Sequence, residues 1–405
     1  MEVTTFCAGP MRSVVGEAPT PGASAAPEGA RQMIVGVPTE VKDNEHRVGL
    51  TPGSVAELAA RGHVVLVQSG AGLGIGAADA DYEAVGAKLV DTAADVFAPA
   101  DLIVKVKEPQ AGERAMLRPG QTLFTYLHLA PDPAQTADLV ASGATCVAYE
   151  TVTDARGHLP LLAPMSKVAG RLAVQAGAHY LESAHGGAGI LLGGVPGVAP
   201  GKVVIIGGGV VGENAAQIAV GMGADVTILD RSNDVLDHLS ARFGTSVRTM
   251  YSTGHTLDEA VTGADLVIGA VLVPGAAAPR LVSADMVARM RAGSVLVDVA
   301  IDQGGCFETS RPTTHSDPVF IVDDVVHYCV ANMPGAVPHT SAHALNNATL
   351  PLVLALADKG TGDALRADVH LAHGLNVAAG RVTEPAVAAA LGYDLLPVRE
   401  ALALL

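Results

Sequence analysis

Between the apolar run Val203 to Ile206 and an Ala-rich helical stretch lies the loop Gly207-Gly208-Gly209-Val210-Val211-Gly212, and Asp230 closes the next apolar run. A Gly-x-Gly-x-x-Gly loop constrains a fold only in context. Here a strand precedes it, a helix follows it, and an acid stands about 20 residues on. The first glycine permits the tight turn, the second lets the backbone approach a pyrophosphate, and the third allows close helix packing. Unpaired N–H groups at the helix N-terminus then face the phosphates. Gly207, Gly209, Val210, Val211 and Gly212 therefore read as a dinucleotide cradle.

Asp230 follows Val226-Thr227-Ile228-Leu229 and should stand at the carboxyl edge of the second strand, accepting hydrogen bonds from a ribose 2′-OH. A carboxylate there repels a 2′-phosphate, so NAD is expected. Arg231 is the neighbour that would instead accommodate that phosphate.

At 405 residues the chain is too long for one typical core, and two domains are expected. The glycine loop sits mid-chain, so a substrate-binding part must occupy mainly the residues before it. A formal charge of −16 argues against nucleic acid or an anionic membrane as partner. No uninterrupted apolar run reaches the ~18 to 20 residues that span a bilayer. Cys7, Cys146, Cys306 and Cys329 lack the paired spacing of a zinc site or disulfide framework, so no metal ligand set is read. Idle thiols without a secretory signal fit a reducing cytoplasm. Residues 1–32, rich in Ala, Gly and Pro, carry no sustained apolar period and are expected to be disordered.

From Met33 strand and helix patterns alternate. Strands are expected at Met33 to Val37, His63 to Val67, Leu102 to Val106, Gln121 to His128 and Ala144 to Tyr149, with a Thr51-capped helix from Pro52 to Arg61. Pro164 and a capping Ser166 open a long helix to about Ser183 that crosses to the second domain. A glycine-rich connector, Gly186 to Gly201, leads into a Rossmann unit through Val330, with later strands at Leu266 to Val271, Ser294 to Val299 and Val325 to Val330. Thr340 and Ser341 cap a second interdomain helix, His343 to Asp358, broken by Pro351, which returns the chain to the first domain. The expected fold class is α/β, with two Rossmann-like domains, each a mostly parallel sheet flanked by helices, and a cleft between. Residues 33–163 plus 339–405 form the substrate domain and 164–338 the nucleotide domain.

Ligands of open parallel sheets bind outside the carboxyl ends of strands. Lys107 and His128 follow two such strands, Arg47 lies in the loop after the first, and Asp302 falls just past Val295 to Ala300. The cleft would then hold a cofactor, two cations, a His and an Asp. Each residue also has a plainer reading: Arg47 as a surface partner of Glu40 or Glu45, Lys107 as a helix cap, His128 as a core histidine, Asp302 as a turn cap at Gly304-Gly305.

The ordered set Gly36-Val37-Pro38-Thr39-Glu40, Arg47-Val48, Thr51-Pro52, Lys105-Val106-Lys107-Glu108-Pro109, Leu127-His128-Leu129, the glycine loop, Gly269 to Gly275, Asp302 to Cys306 and Asn332-Met333-Pro334 resembles the alanine dehydrogenase and transhydrogenase alpha-subunit family across residues 33–405. The chain departs from the family pattern at Lys167, where an acid is usual. In the transhydrogenase subunit the positions of His128 and Asp302 are not His and Asp; this chain keeps both, which favours the dehydrogenase. The resemblance implies reversible conversion of L-alanine to pyruvate and ammonium with NAD, by a homohexamer. The implied pocket for the methyl group is Tyr126, Met165 and Met333. Implied cofactor contacts beyond the loop and Asp230 are Ser166, Val271, Leu272, Asp302 and Asn332.

Chemistry assigns roles to match. Arg47 suits bidentate capture of a carboxylate, and Lys107 suits holding the carboxylate or keto oxygen. His128 suits general acid/base work, and Asp302 orients or deprotonates the water that attacks the imine. The division of proton transfers between these two stays open. Alternatives are a transhydrogenase-type hydride carrier, a dehydrogenase of another small amino acid, and a non-catalytic NAD sensor.

Overall fold

The computed structural model describes residues 32–271 and 278–405. The expected disorder of the first 31 residues and the expected cofactor contact at Leu272 lie outside the described residues.

Six short apolar strands open the chain: β1 (Ile34–Val37), β2 (Val64–Gln68), β3 (Lys88–Val90), β4 (Leu102–Val104), β5 (Thr122–Thr125) and β6 (Thr145–Ala148). Seven more follow: β7 (Lys202–Ile206), β8 (Asp225–Asp230), β9 (Val247–Tyr251), β10 (Leu266–Gly269), β11 (Val295–Asp298), β12 (Val319–Val322) and β13 (Val325–Tyr328). The last two are β14 (Leu375–Ala378) and β15 (Arg381–Val382). The inner strands β4, β5, β10 and β11 are buried along their whole length, as continuous apolar runs covered on both faces must be.

Two mostly parallel sheets result. The first has the order β15-β14-β6-β5-β4-β1-β2-β3, the second β12-β13-β11-β10-β7-β8-β9. Both reverse strand order beside their first strand, the doubly wound pattern whose switch point opens a crevice at the carboxyl edge. Within the two sheets, every antiparallel pair among the described residues involves β12, β14 or β15.

The linker helix, Ala163–Tyr180, starts three residues before Ser166. Ser166 is therefore not a cap: its N–H already donates to the Leu162 carbonyl, because Pro164, with φ preset, takes the first turn. Gly170 and Gly177 lie on one face, two turns apart. A Cβ at Gly170 would collide with the Val211 carbonyl of the helix Val210–Gly221, and one at Gly177 would sit 2.5 Å from Leu266 of β10. The linker helix is thus seated directly on the second sheet.

The return helix, Pro338–Lys359, also begins earlier than expected, on Pro338. Thr340 and Ser341 lie inside its first turn, and Ser341 donates to the Pro334 carbonyl at 2.6 Å instead of accepting as a cap would. Pro351 does not break it. Pro351 and Asn347, whose carbonyl loses its helical partner, are both exposed, so the break in the hydrogen-bond ladder falls on the solvent face. Asn346 on this helix accepts from the Thr51 N–H at 2.8 Å and donates to the Gly49 carbonyl at 3.2 Å, fixing the loop after β1. Thr51 occupies the N-cap position of the helix Pro52–Ala60 without a side-chain cap bond, its hydroxyl lying 3.3 Å from Ser54 Oγ.

Candidate active site

The carboxyl ends of β1, β4 and β5 meet those of β11 and β13. Arg47, in the loop after β1, is only 2% exposed. Its Nε donates to Glu45 Oε1 at 2.7 Å, and its Nη2 reaches both Glu45 Oε2 and Asn332 Oδ1. Nη1 points at Met165 Sδ, 2.9 Å away. One edge of the guanidinium is therefore closed by Glu45, and the other faces Met165 and Asn332. The two-bond carboxylate clamp expected of Arg47 is made here within the protein. Burial alone would raise the Glu45 carboxyl, but the bonds from Arg47, with help from the Asn332 amide, hold it at about 2.

Beneath this pair lies a second buried network. Lys105 Nζ bridges Glu40 at 3.0 Å and Glu113 at 2.7 Å. Glu40 also accepts from the backbone N–H groups of Val106 at 2.6 Å and Lys107 at 3.4 Å. That fixes the main chain that carries Lys107. The Lys107 ammonium itself forms no ion pair among the described residues, and desolvation lowers its pKa, reinforced by Lys42 and Arg47 and opposed by Glu108 and Asp302. It is not a helix cap.

His128 adopts a left-handed backbone, φ 50°. This costs a non-glycine residue energy and marks a held position. What holds it is Glu150, which accepts from the N–H groups of Leu127 and His128, the latter at 2.6 Å, and places a carboxylate oxygen 3.9 Å from His128 Nδ1. The imidazole is 44% exposed, which removes the core-histidine reading. It stacks on Tyr126, whose hydroxyl donates to the Leu161 carbonyl at 2.6 Å. Burial pushes the Tyr126 phenol well up, so it remains protonated.

From the second sheet, Asp302 closes a short helical turn, Val299–Gln303, and accepts from Asn332 N at 3.3 Å, so it is not tied to the turn at Gly304. Asp298, fully buried, accepts from Ser310 Oγ, Cys306 N and Ala300 N and so folds the loop that carries Asp302. Asn332 is left-handed, φ 59°, and donates its side-chain amide to Glu45. Met333 is buried behind it. The structure thus brings Arg47, Lys107, Tyr126, His128, Met165, Asp302 and Asn332 to one cleft. Glu45, expected only as a surface partner of Arg47, is instead buried against it. Glu150 was not expected there, although the strand-end rule that finds Lys107 and His128 also finds it, two residues past β6.

The glycine loop has the features a dinucleotide needs. Gly207 has φ 100° and backs onto Ala270 O and Val271 N, so Val271 borders the loop. A Cβ at Gly209 would meet nothing within 4 Å, whereas one at Gly212 would collide with the Gly207 carbonyl. The helix Val210–Gly221 begins at Gly209 with no side-chain cap, leaving its first N–H groups for an anion. Asp230 ends β8, and its carboxylate is fixed by Gly208 N at 2.7 Å and Ser232 N at 2.8 Å. Lone pairs remain on both oxygens for a ribose. Ser166 is half-buried in the first turn of the linker helix, and Lys167 beside it is exposed.

Residues 36–169 match the family model of the alanine dehydrogenase/PNT N-terminal domain, and residues 173–385 that of the C-terminal domain. The alanine dehydrogenase of Halomonas elongata is 62% identical over 362 residues, 89% of this chain and 98% of its own. A solved L-alanine dehydrogenase superposes with a TM-score of 0.87 at 53% identity, covering 89% of this chain and 99% of that one. A transhydrogenase from Sinorhizobium meliloti superposes with a TM-score of 0.77 at 26% identity, covering 86% and 100%.

Proposed function

The chain belongs to the alanine dehydrogenase/PNT family, and from that premise we propose that it catalyses the reversible oxidative deamination of L-alanine to pyruvate and ammonium with NAD. The observation that carries this reading is Lys107, a desolvated ammonium that forms no ion pair among the described residues, beside Arg47 and within the fields of Glu108 and Asp302. An amino-acid carboxylate supplies the missing anion. The bound nicotinamide supplies the hydride acceptor; Gly207, Gly209, Val210, Val211, Gly212, Val271 and Asp230 would hold the dinucleotide. The Asp230 carboxylate at the end of β8 supports NAD over its 2′-phosphorylated form.

Arg47, with one edge of its guanidinium already fixed by Glu45, presents its other edge to the substrate, and Lys107 neutralises the carboxylate or keto oxygen. Deamination needs the neutral amine and then a water at the imine carbon. His128, exposed and held by Glu150, moves protons at the substrate, and Asp302 orients that water. Tyr126, Met165 and Met333 bound a space for a methyl group. Turnover of 2-aminobutyrate is then slow, not absent, because one methylene is worth only about 1–3 kcal/mol in such a pocket.

Residues 33–163 with 339–405 serve as the substrate domain and 164–338 as the nucleotide domain, a division supported by β14 and β15 completing the first sheet. We read the assembly as a homohexamer in a reducing cytoplasm, with Cys146, Cys306 and Cys329 as free buried thiols.

NADH formation with L-alanine, D-alanine, serine and lysine at alkaline pH tests the reaction. Turnover confined to L-alanine supports it. NADH binding without turnover of any amine would replace it with a hydride carrier or sensor.

A further inference from the structure

We propose that His179, Glu182 and His185 form a binding site for a zinc-class divalent cation, outside the catalytic cleft and independent of the reaction proposed above. Their ligand atoms lie within 4.8 Å of one another, the one such group of His, Cys, Asp and Glu side chains among the described residues. Glu182 Oε2 and His185 Nδ1 are 3.5 Å apart. Two ligands about 2.0–2.1 Å from one tetrahedral zinc stand about 3.4 Å apart. The ring centroids of His179 and His185 are 3.8 Å apart, so a turn about χ2, the softest torsion of a histidine, brings the third nitrogen into range.

Three further observations favour a cation here. His185 Nδ1 is a buried atom beside the Glu182 carboxylate, and it makes no hydrogen bond among the described residues. An unsatisfied ring nitrogen is costly, and a metal satisfies it. The cluster also sits at the C-terminal end of the 18-residue linker helix, where the helix dipole favours positive charge. Lastly, the turn is rigid before any ion arrives. His185 N donates to the Glu182 carbonyl at 3.0 Å and Gly187 N to the same oxygen at 3.1 Å, and a Cβ at Gly187 would collide with the carbonyls of Tyr180 and Leu181. A preorganised turn loses little freedom on binding.

Three protein ligands leave a fourth tetrahedral position for water or an outside donor. The ion would pin the exit of the linker helix next to Tyr180, whose ring packs 5.9 Å from that of His185 and 5.7 Å from Tyr328 of β13. The other histidine pairs, His339 with His343 and His370 with His373, have no third His, Cys, Asp or Glu ligand with them among the described residues.

The test is zinc titration of the full-length protein against a chelating dye, in a Cys7→Ser background to remove that thiol as a ligand. One ion per chain is expected, with affinity lowered more than about 100-fold in His179→Ala/His185→Ala, beyond what loss of a supporting group costs. Zinc should raise Tm in the parent and not in that variant, and His339→Ala/His343→Ala should bind as the parent does. Should the double variant fail to fold, Glu182→Gln and His185→Ala alone must each weaken binding. No saturable binding, undiminished binding in the cluster variants, or loss on changing His339 and His343 would overturn the assignment.

Discussion

Glu45 grips Arg47 along the Nε–Nη2 edge of its guanidinium, two residues away in sequence and almost without solvent. An ion pair so buried gains from its geometry and is costly to break by removing one partner.

Glu45→Gln should therefore lower stability near neutral pH and raise KM for alanine more than it lowers kcat. The Glu45 carboxyl is depressed from the ordinary 4.5 to about 2. A depressed acid stabilises the fold above its unfolded pKa and loses that contribution as pH falls through the folded one. The stability advantage of the parent over Glu45→Gln, about 3 kcal/mol near neutrality, should thus shrink between about pH 4.5 and 2. Urea unfolding across that range measures it; a difference independent of pH would count against the buried pair.

His128→Ala and Asp302→Asn should each depress turnover by about 10²- to 10⁴-fold, the usual cost of an acid/base group. NADH affinity, measured by fluorescence, should survive in both. Near-normal turnover would remove that residue from the catalytic set.

Deamination should speed up from neutral to alkaline pH, because hydride loss requires the neutral amine. Lys107 sets the upper limit. Its pKa is lowered, first by desolvation, so its charge and its hold on the carboxylate are lost below the usual amine range. KM for alanine should climb on the alkaline side, and Lys107→Arg, always charged, should abolish that climb even where its overall rate is lower. A flat KM profile in the parent would show that Lys107 does not hold the substrate.

Gly209→Ala and Gly212→Ala should part company. At Gly209 a methyl meets open space, so Tm should hold while NADH affinity falls; at Gly212 it strikes the Gly207 carbonyl, so Tm should fall too. Differential scanning calorimetry beside NADH titration separates them. Full NADH affinity in Gly209→Ala would move the phosphates elsewhere.

The two parallel sheets were legible because β1, β2, β4, β5, β6, β7, β8, β10, β11 and β13 are mostly apolar runs bounded by turn or helix signals. The edge strands β3 and β12, partly exposed and three or four residues long, were not read. Helix starts were misplaced at Ser166 and Ser341 for one reason: proline at the first turn overrode a hydroxyl that looked like a cap. Strand-end position found Lys107, His128 and Asp302. Glu45 was legible only as a surface partner of Arg47, and neither the burial of that pair nor the hold of Glu150 on the His128 backbone leaves a local pattern.

β14 lies against β6, pairing Leu375 with Val147 across roughly 230 residues of chain. At about 5–20 residues per second, a ribosome delivers that strand some 10 to 45 s after its partner. Throughout that interval β6 is an open sheet edge while the entire second sheet is being made. Completion of the first sheet is thus a late event in synthesis, and loss of the last thirty or so residues would harm the N-terminal half of the molecule, which was made first.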